Sequence, residues 1–172
     1  MPITLNYSRP RRHLHWCFAL IIIWATVSGF ANALFQLPLS IANAITFINV
    51  SLTTLLIPFF FVRVYLALAQ PAPEEHADIG TGSQLLAKLG HLALYCCTAL
   101  VLLTGVLMMD RPIDFFGVLS IPQPFEEPLL QAFFNSVHRA CCIVLALLVL
   151  GHIGAVVLHQ LRGHKVLQRM LP

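Results

Sequence analysis

Four runs of about twenty or more mostly apolar residues, each long enough to cross a bilayer at about 1.5 Å rise per residue, constrain this chain more than any other feature. They extend from about Leu14 to Phe35, Ile45 to Ala69, Leu85 to Met109 and Phe134 to Leu161, and the second contains Pro58 and Arg63. Of the 172 residues, 58% are hydrophobic and 10% are charged. A soluble domain carries about 25% charged residues, so lipid, rather than a packed aqueous core, accounts for the deficit. The expected fold is all-α: an integral membrane four-helix bundle forming one domain over residues 1–172.

Basic residues precede the first run, but it is about twenty residues long and no clear small-x-small cleavage site follows, so it reads as a permanent span. Arg9, Arg11 and Arg12 lie before it; Arg162, Lys165 and Arg169 follow the fourth. The loop between the first two spans has no charge, and segment 110–133 has Asp110, Asp114, Glu126 and Glu127 against Arg111. The positive-inside rule therefore expects both termini in the cytoplasm. The middle loop, with Pro71, Pro73, Glu74, Glu75 and Asp78, then lies on that side too. Segment 110–133 becomes an outer loop lying on the membrane surface, expected to hold a short helix and to act as a lid. The net charge of +3 comes from residues near the chain ends, which argues against a nucleic-acid partner. Cys17, Cys96, Cys97, Cys141 and Cys142 all fall in apolar runs and read as buried thiols; no C-x-x-C-H is present for covalent haem attachment.

Ionisable residues inside a membrane usually face the bundle interior and mark a working site. Eight histidines are present, and His15, His91, His138, His152 and His159 lie in or at the spans. His13, His76 and His164 read as interfacial. His138 and His152 are fourteen residues apart, which puts both on one helix face about 21 Å apart along the axis. His159 continues that face toward the inner surface. The same interval links His15 to Gly29, His91 to Gly105 and Asn49 to Arg63. With alternating span directions, His15, Arg63, His91 and His152 fall at an inner level, and Gly29, Asn49, Gly105 and His138 at an outer one. Ordinary helix packing also repeats at fourteen residues, and glycines are common at membrane helix contacts. Glycine opposite histidine also admits a flat macrocycle, and arginine can pair with its carboxylates. Zinc needs three or four converging ligands. Candidates split into two levels on different helices suit the axial pairs of low-spin haem iron better.

The order of these features over nearly the whole chain resembles the bacterial cytochrome b561 family, which includes the superoxide:quinone oxidoreductase type. The matching residues are Ser8-Arg9 leading to His15-Trp16; Leu89-Gly90-His91-Leu92 with Tyr95; Thr104-Gly105 and Met108-Met109; His138, Gly151-His152 and His159; and the tail Leu167-Gln168-Arg169-Met170-Leu171-Pro172. The resemblance implies a four-helix bundle with two b haems, each bound by two histidines. It makes His15 and His152 the inner axial pair and His138 one outer ligand. The outer partner in the family is the histidine of a His-x-Ser-x-Gly pattern. Here that stretch is Asn49-Val50-Ser51-Leu52-Thr53, lacking both the ligand and the glycine. The expectation is one haem b at the inner level. The outer haem is absent, five-coordinate through His138, or held by Met108 or Met109.

The function expected from this resemblance is electron transfer between a donor at the outer face and the quinone pool in the bacterial inner membrane. His91, His159, Arg63 and Lys88 stand at the quinone or propionate region. The acidic outer loop does not suit steering of an anionic donor such as superoxide. Two rival readings remain: a cytochrome subunit relaying electrons for a partner dehydrogenase docked at the outer face, and a haem-poor membrane protein derived from the family. The sequence leaves homodimerisation open.

Overall fold

The computed structural model describes residues 7–70, 81–163 and 166–171. The expected middle loop, including His76, and the tail residues His164 and Lys165 lie outside the described residues. Four long helices dominate: α1 (Arg9–Leu34), α2 (Leu39–Ala69), α3 (Thr81–Leu107) and α4 (Pro128–Leu161). All four are long and apolar enough to cross a membrane. With four crossings, both chain ends lie on the same side; that end of the bundle is called the termini end below. Each helix starts several residues before its apolar run, because helical hydrogen bonding continues through the polar residues of the headgroup zone.

The lipid-facing character is visible in side-chain exposure. Leu68 and Leu161 are 83% and 81% exposed, and few span residues are buried within the bundle. A small core of Phe18, Leu56 and Leu102, flanked by Leu14, Ile21, Ile22, Ile57 and Phe60, ties α1, α2 and α3 together. With hydrocarbon outside, little free energy separates burial against a helix from burial against lipid, so a bundle in lipid is held by packing and internal hydrogen bonds. Cys97 is buried, but Cys17 and Cys96 face outward, which corrects the reading of all five cysteines as interior; all five are free thiols. Lipid is as apolar as a core, so sequence cannot separate the two environments.

The helices pair as two antiparallel hairpins, α1 with α2 and α3 with α4, joined by a thinner α2–α3 contact. The backbones of α1 and α4 do not pack closely.

Where a short helix was expected between the third and fourth spans, the chain forms a two-stranded hairpin, β1 (Ile113–Phe115) with β2 (Leu119–Ile121), in antiparallel register. Its cause is local. Phe116 and Gly117 both have positive φ, 52° and 70°, and Val118 N–H donates to Phe115 O at 3.0 Å. That is the I′-type turn whose twist matches paired strands. Gly117 N–H also donates to Asp114 Oδ1 at 2.8 Å, and Pro112, Pro122 and Pro124 oppose helix by removing donors. The hairpin is latched to α2 by Ser51, which is 0% exposed. Its Oγ accepts from Phe116 N–H at 3.1 Å and donates to Asp114 O at 3.2 Å. Gln131 on α4 holds the rest of the loop by donating to Phe125 O at 2.7 Å.

Candidate functional site

At the termini end, helices α1, α2, α3 and α4 each contribute one polar side chain to a common level: His15, Arg63, His91 and His152. Their rings and charges meet because each residue lies on the inward face at matching depth, as the fourteen-residue interval requires. The His15 and His152 ring centres are 6.4 Å apart across the loosely packed α1–α4 side, and His91 and His152 are 5.5 Å apart. Arg63 Nη1 donates to Leu14 O at 3.3 Å and its Nη2 lies 3.4 Å from His15 Nδ1. The guanidinium is sandwiched at 5.0 Å and 5.4 Å from the Phe18 and Tyr95 ring centres. Aromatic faces on both sides hold a cation in an apolar setting, since the ring quadrupole presents negative charge to it.

The chain end closes this level. Residues 167–170 form a single 3-10 turn. Trp16 Nε1–H donates to Met170 O at 2.7 Å and Arg12 Nη1 to Leu171 O at 2.5 Å. Ser8 Oγ–H donates to Gln70 Oε1 at 2.6 Å and Arg11 Nη1 to Gln70 O at 3.1 Å, fixing the start of α1 against the end of α2. A cavity of about 30 Å³ lies between Arg11, Leu14, His15, Arg63, Leu66, Tyr95 and Met170.

Low-spin haem iron takes an imidazole nitrogen on each face. With metal–nitrogen bonds of about 2 Å, two such rings have centres roughly 6 Å apart. The His15–His152 spacing meets that requirement; the His91–His152 spacing is too short for it. Among the described residues, no group of three or more His, Cys, Asp or Glu is placed to chelate a bare metal ion. The spacing at this level is the one that His15 and His152 would need in order to hold a single haem iron between them.

The whole stretch from residue 6 to residue 172 matches the family described as prokaryotic cytochrome b561. The chain belongs to that family. No curated protein matches it. As a prokaryotic cytochrome b561, it is a multi-pass membrane b-type cytochrome, a haem-binding electron-transfer protein.

The level nearer the β-hairpin, the one expected to be outer, is built differently. Asn49 Nδ2 on α2 donates to Ser28 Oγ on α1 at 3.0 Å, and the Ser28 hydroxyl lies between two acceptors, Trp24 O at 2.7 Å and Asn49 Oδ1 at 3.1 Å. His138 on α4 has Nδ1 at 3.1 Å from Thr104 Oγ1 and 3.2 Å from Val101 O, both on α3, and Nε2 at 3.4 Å from Cys142 Sγ. Among the described residues, no hydrogen bond or ring contact joins Asn49 to His138. The two glycines expected to admit a macrocycle face these groups. A Cβ on Gly105 would sit 3.2 Å from His138 Cε1, and one on Gly29 4.0 Å from Asn49 Nδ2.

Met109 lines a separate cavity of about 650 Å³ between α2 and the β-hairpin, with Asn43, Thr46, Phe47, Arg111 and Asp114 on its walls. His159 lies half-buried in the last turn of α4. The sequence analysis gave no site role to Ser28, Thr104 or Cys142. A readable signal existed for the first two: Ser28-Gly29 and Thr104-Gly105 are the same hydroxyl–glycine pair, thirteen and fourteen residues after His15 and His91.

Proposed function

We propose that this cytochrome holds haem b between His15 and His152 and exchanges electrons with quinone at the termini end, which faces the cytoplasm of the bacterial inner membrane. The observation that carries this reading is the 6.4 Å separation of two imidazoles from α1 and α4, the helix pair whose backbones stay apart. When bound, haem supplies a one-electron redox centre that no side chain at this level offers.

The chain's own residues set its surroundings. Arg63, held between Phe18 and Tyr95, is the cation beside this level for the carboxylates of a porphyrin. A guanidinium only donates, so in its contact with Arg63 the Nδ1 atom of His15 is the acceptor. Were iron held through Nε2, Nδ1 would carry the proton and could no longer accept from Arg63, which would leave the guanidinium available to an anion. His91, packed against His152, and His159, one turn from the end of α4, are groups able to give and take protons where quinone reduction consumes them. The basic residues Arg9, Arg11, Arg12, Arg162 and Arg169 gather at this end, which supports its cytoplasmic orientation.

Two optical measurements test the proposal. Purified protein is expected to show a b-type reduced-minus-oxidised spectrum that disappears in His152→Ala. The reduced cytochrome is expected to be reoxidised on mixing with a short-chain ubiquinone or menaquinone analogue. A haem spectrum unaffected by loss of both His15 and His152 refutes the ligand assignment, and reduced haem inert to every quinone refutes the acceptor.

A further inference from the structure

The inner level fits a haem; the outer level does not, and the difference decides where electrons enter. We propose that the His138 level of this cytochrome carries no haem and that electron exchange is confined to the termini end, donor and quinone using the same face. This rests on the reading that His15 and His152 hold the inner haem.

Each half of the outer level is satisfied inside its own helical hairpin. Asn49 stands where the resemblance expects the second ligand. A carboxamide nitrogen has its lone pair delocalised into the carbonyl, and iron porphyrins take imidazole, thiolate, thioether or phenolate instead. The Asn49 amide is turned onto Ser28: its Nδ2 donates to Ser28 Oγ, whose single proton lies between Trp24 O and Asn49 Oδ1. Opposite them, His138 spans from the α3 acceptors Val101 O and Thr104 Oγ1 to its own helix at Cys142 Sγ. The nitrogen an iron would need is the one against that thiol. The room left by Gly105 is filled by the His138 ring itself. In a membrane, where unsatisfied polar groups are costly, such closed pairs act as packing locks between helices.

The consequence is a matter of distance. His152 and His138 are fourteen residues apart, about 21 Å along α4, and α4 extends ten residues further, to Pro128. Electron tunnelling falls off exponentially with distance, so without a carrier at His138 the hairpin end is isolated from the inner haem. The donor must therefore reach the protein at the termini end.

The test uses the full-length protein. Pyridine haemochrome against protein mass is expected to give one haem per chain in the wild type, still one in His138→Ala and His138→Gln, and none in His152→Ala. The glutamine variant keeps a hydrogen-bonding side chain at the α3 contact, so a fold lost to alanine does not obscure the count. Two haems per chain, or half the haem lost with His138, overturns this proposal and leaves the inner site standing. No haem in the wild type overturns both readings. In proteoliposomes, a membrane-impermeant reductant added outside is expected to reduce only the molecules whose C-terminal tail is accessible to external protease. Rapid reduction of the protected molecules as well overturns the one-sided arrangement.

Discussion

The two ends of this bundle share one frame and use it differently. In α1 and α3 a histidine is followed thirteen and fourteen residues later by a hydroxyl and a glycine: His15 with Ser28 and Gly29, His91 with Thr104 and Gly105. In α2 and α4 two polar residues stand fourteen apart: Asn49 with Arg63, His138 with His152. Each hairpin thus brings the same kinds of position to the same two depths. At the outer depth the hydroxyl of the first helix binds the polar residue of the second, and the pairs are complete within each hairpin. At the inner depth the contacts within hairpins, Arg63 to His15 and His91 to His152, are joined by others that cross between them, His15 to His152 and Arg63 to Tyr95. Side chains satisfied locally make a joint, whereas side chains from separated helices that meet across a gap make a place for something else.

The largest expected effect separates the two depths outright. His15→Ala and His152→Ala are each expected to lose the haem spectrum while the helical circular dichroism persists, because the four apolar spans do not depend on the ligands for insertion. Equal loss of haem on replacing a residue of the outer depth, such as Asn49, would erase the distinction.

Next in size is the latch at the hairpin end. Ser51→Ala removes a buried hydroxyl that serves both Phe116 N–H and Asp114 O. Leaving such partners unpaired costs about 1–3 kcal/mol. Faster hydrogen exchange at Phe116 and neighbouring hairpin amides is expected, with the haem spectrum unchanged. A shifted haem spectrum would mean that the hairpin and the inner level are coupled through α2.

Much of this was legible from spacing. Four long apolar runs mark the helices, and the fourteen-residue interval with alternating span directions groups His15, Arg63, His91 and His152. What spacing does not carry is which neighbour fills the space beside a glycine. Gly29 and Gly105 read as room for a macrocycle, yet the nearest atoms belong to Asn49 and His138. A glycine reports only that something comes close. The hairpin was hidden for another reason. Its turn is set by the left-handed backbone at Phe116-Gly117 and a single Asp114 contact, signals too local to stand out in a loop rich in proline and phenylalanine. The return of the tail onto Trp16 and Arg12 depends on backbone carbonyls at Met170 and Leu171, which no residue pattern announces.

A smaller effect probes the charge at the inner depth. Replacing Arg63 by Gln removes a cation beside the proposed haem, which favours the oxidised, more positive state. The expected fall in midpoint potential corresponds to about 1 kcal/mol, or roughly 40 mV for a one-electron couple. Arg63→Lys is expected to recover part of it, since the charge returns without the planar fork. Potentiometric titration distinguishes this from a packing defect, which would broaden the spectrum without a consistent direction of shift. A rise in potential would remove Arg63 from the site's electrostatics.

The smallest expected effects discriminate most finely between a haem and a joint at the outer depth. Alanine is favoured over glycine in a helix by roughly 0.5–1 kcal/mol. At Gly29 the added Cβ meets Asn49 Nδ2 at an ordinary 4.0 Å, so Gly29→Ala is expected to be neutral or slightly stabilising in detergent melts. At Gly105 the Cβ meets His138 Cε1 at 3.2 Å, in a ring pinned from both sides. The ring can yield only by lengthening its bonds to Val101, Thr104 or Cys142. Gly105→Ala is therefore expected to lose the propensity gain and melt below Gly29→Ala, with haem content equal in the two. A macrocycle lying between these glycines would instead be displaced by either methyl group, so equal loss of haem from both variants would show that the outer depth is a cofactor site.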